Sequence, residues 1–252
     1  MHRDYVIRVL GPIDLLTPYG ERSVGGLRMR AVLGALVISV AHAVPSDRLI
    51  DIVWGDSPPP TATITLQSYI SRLRSLLGPD SIAHAEHSYE LVAGHEIDAL
   101  QFETLVVAAI DETHDLTGRK SLCREALSLW RGIPFGELAD VDPFRLEALR
   151  LDELRLTAME LKLETELALG HSELLIGTLE AAVVEHPYRE RLWYLLIHAL
   201  AEADRRVDAL RACARLRDIL ADVGLEPADR LQQREEEIAS GAPHDPADDI
   251  VH

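Results

Sequence analysis

The chain has only two cysteines, three phenylalanines and no long uninterrupted apolar run, and each shortage excludes a class of protein. Cys123 and Cys213 are far apart, each inside a helical pattern. Two such residues make no disulfide framework, so both are expected as buried, reduced thiols. The longest apolar stretch, AVLGALVISVAHAV (Ala31–Val44), contains His42 and falls short of the roughly 20 residues a spanning helix needs. The opening MHRDYVIRVLGPIDLL lacks the long apolar core and small-residue cleavage site of a signal peptide. A cytoplasmic protein without a membrane partner is expected.

The signatures of catalysis are missing as well. There is no GxxxxGK[ST] phosphate loop, no HExxH, no GxSxG and no Cys/His set at metal-ligand spacing. His84, His87 and His95 fall on a hairpin and a linker, without a cysteine or a helical i, i+4 pair, so no metal and no cofactor is expected there. Paired carboxylates such as Asp152-Glu153 read as solvated charge on exposed helix faces. The expectation is a protein that is not an enzyme.

What the chain does have is enough apolar material for a real core, 47% of its 252 residues, and an excess of acid. The formal net charge of -17 is unevenly spread. Residues 1–98 hold eight basic side chains against eleven acidic ones, a net of -3, and the remainder holds 17 against 31, a net of -14.

The two parts also differ in pattern. The first begins with short extended pieces: YVIRVL (Tyr5–Leu10), IDLLT (Ile13–Thr17) after the Gly11-Pro12 break, and an edge strand near Arg22–Val24 after the turn at Pro18-Tyr-Gly20. Gly25-Gly26 then precedes a helix, LRMRAVLGALVISVA. Pro45-Ser46-Asp47 caps a second, RLIDIVWG, closed by Gly55. The loop DSPPP (Asp56–Pro60) fixes where a third can start, with Thr61 in its N-cap region, and that helix runs to about Leu77 before Gly78-Pro79. SIAHAEHSYELVAG has the shape of a hairpin with its tip near Glu86–Ser88. Strands, three helices and a terminal hairpin make a winged helix-turn-helix with an N-terminal sheet. Trp54, in the second helix, and Trp130, further along, read as core residues.

From about Leu100 the pattern is helical throughout. Helices are expected over Leu100–Asp115, Thr117–Arg131, Pro143–Leu169, Ser172–His186, Tyr188–Ala203, Arg205–Val223 and Pro227–Ser240. In RLWYLLIHAL the residues Leu192, Leu195, Leu196, Ala199 and Leu200 follow the i, i+3, i+4, i+7, i+8 rule. A 34-residue register of the tetratricopeptide kind aligns Gly170 with Asp204, Leu179 with Cys213 and Ala182 with Leu216. The fold class expected is therefore mainly α with a small β component. A winged helix over 1–98 precedes an all-α, TPR-like helical-repeat domain over 99–240, and a disordered tail covers 241–252.

The order of these pieces carries a resemblance. "RVLGPIDL", "GGLRMRAVLGAL", "DRLIDIVWGDSPPPTA", "LQSYISRLRSLLG", "EALSLWRGIPF" and "EHPYRERLW" follow one another as they do in the SARP-type (antibiotic regulatory protein) activators. These join an OmpR-like winged helix to a bacterial transcriptional activation domain, and the resemblance covers roughly residues 5–240. It implies transcription activation: a homodimer on direct repeats in double-stranded promoter DNA, contacting RNA polymerase holoenzyme, and nucleoid-associated when bound. By the same resemblance Arg72 reaches bases, Arg74 grips phosphate, and Tyr69 and Ser71 face the DNA backbone. Elementary chemistry agrees. A guanidinium can pair bidentately with guanine, worth about 1–3 kcal/mol of discrimination, or neutralise a phosphate without reading sequence. Thr61, Thr63 and Thr65 could offer hydroxyls at the helix start to phosphate. Arg28 and Arg30, opening the first helix, are further phosphate candidates.

The chain departs from the family pattern at two places. Members commonly carry basic residues early in the third helix, where this chain has the neutral Thr63 and Ile64. Their wing often holds arginine near its tip, where this chain reads His84-Ala-Glu-His87-Ser88-Tyr89. An alternative therefore stands beside the activator: an interaction adaptor whose winged helix binds DNA weakly or not at all.

Overall fold

The computed structural model describes residues 5–111, 113 and 115–241, so most of the expected tail over 241–252 lies outside the described residues. The chain opens with a meander, β1 (Val6–Arg8), β2 (Asp14–Thr17) and β3 (Gly20–Ser23), joined by β7 (Glu96–Ile97) parallel to β1. The sheet order is β3-β2-β1-β7. Register pairs Ile7 with Leu15 and Ile97, and all three are buried, as strand alternation requires of one face turned to the core.

Three helices follow: α1 (Leu27–Ile38), α2 (Ser46–Trp54) and α3 (Ala62–Leu77). Every residue of α1 from Ala31 to Val37 is buried, which makes it the central helix of the unit. It stops before its apolar run does. Ala41 takes φ 61° and donates its backbone N–H to the Leu91 carbonyl, and Val44 leaves the helix to become a strand. That strand, β4 (Val44–Pro45), completes a second sheet with β6 (Ser88–Leu91) and β5 (Ile82–Ala85), in the order β4-β6-β5. The winged helix-turn-helix read from the sequence is present, with two very short strands, β4 and β7, that the sequence reading did not contain.

The same core then continues past residue 98. Helix α4 (Asp98–Ile110), most of α5 (Leu116–Ser128), a single 3-10 turn at Gly136–Leu138 and the start of α6 (Phe144–Ala168) belong to it. Phe102, Val106, Ala126, Phe144 and Leu151 are fully buried in one cluster with Ile7, Leu33 and Leu73. Packing divides the chain into Met1–Glu112 with Ser121–Ala158, and Thr113–Lys120 with Met159–His252, so the compact units do not follow the change of sequence pattern at residue 98. Asp98 shows the tie directly. Its carboxylate accepts the backbone N–H groups of Val9 (2.7 Å) and Leu10 (3.1 Å) and lies 3.8 Å from Arg131.

The second unit holds the remainder of α6 with α7 (Ser172–Glu185), α8 (Glu190–Glu202), α9 (Arg206–Ala221) and α10 (Asp229–Ser240). The 34-residue register appears in its corners. Gly170 (φ 80°) and Asp204 (φ 58°) both take the left-handed conformation. Each donates to the carbonyl three residues back, and the next residue donates five back: Gly170 to Leu167 and His171 to Glu166, Asp204 to Ala201 and Arg205 to Leu200. This is the Schellman closure, which satisfies carbonyls a helix end would leave orphaned. The aligned pairs Leu179/Cys213 and Ala182/Leu216 are all buried. Trp193 is buried and its indole N–H donates to the Pro187 carbonyl at 2.9 Å.

Candidate nucleic-acid interface

Helix α3 starts where the proline loop releases the chain. Thr61 is its N-cap residue, although its side chain makes no capping bond. Ala62, Leu66, Ile70, Leu73 and Leu77 form the buried stripe, and Gly78 (φ 105°) ends the helix. Opposite that stripe lies an open ridge of Ile64, Ser68, Ser71 and Ser75, spaced i, i+4, i+7, i+11, all exposed. Thr61, Thr63 and Gln67 are exposed as well. The Thr65 hydroxyl donates back to the Thr61 carbonyl (2.9 Å), so its proton is committed inside the helix.

Arg72 and Arg74 differ sharply. Two residues apart on a helix of about 100° per residue, they point to opposite flanks. Arg72 is exposed and makes no ion pair or hydrogen bond among the described residues. Arg74 is half-buried; its Nε (3.0 Å) and one Nη (2.7 Å) both donate to the Ile82 carbonyl at the base of the wing. Its other Nη makes no hydrogen bond among the described residues.

The remaining candidates are similarly sorted. Tyr69 is half-buried and stacks on Trp54 (centroids 6.3 Å apart, planes at 16°), and the Arg28 guanidinium lies 5.9 Å from that indole ring. Arg28, Trp54 and Tyr69 thus form a ladder across α1, α2 and α3. Trp54 is an edge residue of the core, not a centre, and so is Trp130, half-buried against Phe102 and Arg155. Arg30 is engaged by Glu137 at 2.6 Å, an intramolecular pair that the expectation of a phosphate contact did not include. Ser71 remains open on the ridge.

The wing is fixed at both ends. Its tip is latched to α2 by the Ser46 N–H donating to the His87 carbonyl (2.7 Å), and β4 pairs Val44 with Tyr89. Glu86 occupies the tip with φ 50°, exposed. A cleft of about 400 Å³ between wing, α2 and α3 is lined by Ser46, Asp47, Thr63, Gln67, His84 and His87. His95, by contrast, is buried. The Tyr5 hydroxyl donates to the Leu77 carbonyl at the end of α3 (2.7 Å), and His95 Nδ1 sits 3.0 Å from the same phenol oxygen. Among the described residues no three His, Cys, Asp or Glu side chains group as metal ligands.

Two titrations are shifted by burial. Desolvation pushes the Asp98 carboxyl above its ordinary value, against the opposing pull of the Val9 and Leu10 amides and Arg131. Burial, with Glu235 nearby, pushes the Cys213 thiol up to about 11, and both cysteines are buried and outside any disulfide. No described helix is long and apolar enough to cross a membrane.

Sequence reasoning noted Ile64 only as a neutral position early in the third helix and did not place Arg48 among the candidates. Ile64 is 69% exposed on the ridge of α3, and Arg48 is exposed in the first turn of α2. The signal for Ile64 was present: it lies about 160° round the helix from Leu66, which anchors the buried stripe.

The fold and this surface can be set beside known proteins. Residues 97–239 match the family model of the bacterial transcriptional activator domain. The chain is 33% identical to the regulatory protein AfsR of Streptomyces coelicolor over 93% of its length but 24% of that protein. It is 35% identical to the transcriptional regulatory protein EmbR of Mycobacterium tuberculosis, over 94% of this chain and 64% of EmbR. It therefore spans about a quarter of the first and just under two thirds of the second. With the regulatory protein DnrI of Streptomyces peucetius it shares 32% identity over 94% of this chain and 93% of DnrI. The solved structure of Mycobacterium tuberculosis EmbR in complex with a low-affinity phosphopeptide superimposes with a TM-score of 0.88 at 33% identity, covering 97% of this chain and 67% of that one. All three relatives are named as regulatory proteins. A matched activator domain behind a winged helix, with relatives of like organisation along nearly its whole length, places the chain in the family of SARP-type bacterial transcriptional activators.

Proposed function

We propose that this transcriptional regulator acts by binding promoter DNA directly, with α3 in the major groove and the wing against the neighbouring backbone. The observation that carries the reading is Arg72: an exposed guanidinium with no hydrogen bond or ion pair among the described residues, on a helix whose outer ridge carries three serines. A guanine edge offers such a group two acceptors at matching spacing. Arg74, held by the Ile82 carbonyl, presents its remaining Nη to phosphate, and Ser71, Thr61 and Thr63 supply hydroxyls. Arg28 and Tyr69 border the same surface. Homodimers on direct repeats, placed beside RNA polymerase holoenzyme at the nucleoid, complete the proposal.

Two observations favour the adaptor instead. Arg30 and Arg74 are occupied within the fold, and residues 1–98 carry a net charge of -3, so long-range attraction to DNA is weak. A gel shift with duplexes from the chain's own upstream region, at low and at moderate salt, separates the two. A shift that survives excess random DNA supports the activator; a shift abolished by that competitor at both salts supports the adaptor.

A further inference from the structure

Ile64 lies outside the hydrophobic core and its packed border. A lone exposed aliphatic is ordinary on most surfaces. This one heads the ridge Ile64–Ser68–Ser71–Ser75, on the face of α3 directly opposite its buried stripe, and it is 69% exposed. The three serines behind it are short, so nothing on the ridge holds the helix away from a groove floor. The β-branched side chain is also stiff, since a helix leaves isoleucine one strongly preferred χ1 rotamer. An apolar group is thereby held forward at almost no entropic cost.

We propose that Ile64 reads the 5-methyl group of a thymine, which makes it a specificity-determining residue of the interface. The inference rests on the reading above, in which α3 enters the major groove. Thymine is the only base that presents an apolar group on that edge; the other edges present donors and acceptors that an isoleucine would strip of water without replacing. Ile64 and Arg72 are eight positions apart, about 12 Å along the helix at 1.5 Å per residue. The two contacts therefore fall on different base pairs of one half-site. The contact also suits a domain poor in free positive charge. Burying a methyl releases no counterions, so its discrimination persists where added salt weakens the arginine contacts.

The test changes one methyl at a time. Duplexes are selected from a random library with the full chain, and each thymine of the tightest one is replaced singly by deoxyuridine, which keeps every hydrogen-bonding group. The expected result is a loss of about three- to ten-fold at one thymine per half-site, in the range expected for one buried methyl. Ile64→Ala should bind the thymine and uracil duplexes alike, while Arg72→Ala, if its residual binding is measured at low salt, should keep the difference. Ile64 is 69% exposed and lies outside the core cluster, so an unchanged circular dichroism spectrum is expected for Ile64→Ala. Specific binding that tolerates uracil at every position, or an Ile64→Ala protein that still discriminates, overturns the thymine contact and leaves the DNA-binding reading standing. Failure to enrich any duplex overturns both.

Discussion

Arg74 has two tasks that a sequence presents as one. Its position in the "RLR" triplet resembles a phosphate contact, yet two of its donors hold the Ile82 carbonyl where the wing begins. Arg74→Ala should therefore do more than remove one charge. Salt titration of DNA binding should show a slope smaller by about one unit, and hydrogen exchange should quicken in β5 and β6. An unchanged wing with a reduced slope would confine Arg74 to phosphate. Asp98 is the other residue whose role lies in its partners. Replaced by Asn, it can accept only one of the Val9 and Leu10 amides well, which costs about 1–3 kcal/mol. The pH dependence has a definite sign. Because burial raises the folded-state value of this carboxyl, the folded chain binds its proton more tightly than the unfolded chain does. Stability from this group thus falls as pH rises from about 4 through the raised value. Urea unfolding of wild type and Asp98→Asn across pH should show their gap narrowing in that window. Neither bond pattern was legible beforehand, because both arginine and aspartate find backbone atoms distant in sequence, and no spacing rule points to those.

At the scale of elements, periodicity carried most of the reading. The helices were legible because buried residues recur with the helical period, as in Leu66, Ile70, Leu73 and Leu77. Strands β4 and β7 were not, since two residues have no period; their existence depends on partners at Tyr89, Ser88, Val6 and Ile7. The end of α1 was missed for the related reason that an apolar run reads the same whether it packs as helix or as strand. Gly34 gives a quantitative check on how closely α1 is packed. A Cβ there would lie 2.8 Å from a Phe144 ring carbon and 2.9 Å from the Ile13 methyl. Alanine would gain about 1 kcal/mol of helix propensity, and overpacking would cost about 1–3 kcal/mol. Gly34→Ala should lower stability by up to about 2 kcal/mol, read as a lower midpoint in thermal unfolding; a raised midpoint would mean that Phe144 has room to move. For the wing, Glu86→Arg isolates charge, because both residues bear the same left-handed backbone strain at φ 50°. DNA affinity should rise for all sequences alike, and no rise would take the wing off the phosphates.

At the scale of the molecule, the change of sequence pattern at residue 98 and the packing tell different stories. Charge and periodicity change there, and the activator-domain match begins at 97. Yet Phe102, Val106 and Phe144 share one core with Ile7 and Leu33, so a cut at that point would expose them. Sequence reads what each segment is; it does not read which segments close a core together. The acidity of the chain is compatible with the proposed DNA binding. Exposed charges are screened over roughly 8 Å at physiological salt, so acid elsewhere on the chain need not silence an unpaired arginine on α3. The direct test is the affinity of the full chain and of Arg72→Ala for a selected duplex and for random DNA, measured from about 50 to 200 mM salt. The account predicts that wild type prefers the selected duplex at every salt. Arg72→Ala should lose at least about 1 kcal/mol of that preference, or roughly five-fold, with its fold unchanged. Equal preference in the two proteins, or none in wild type, would contradict it.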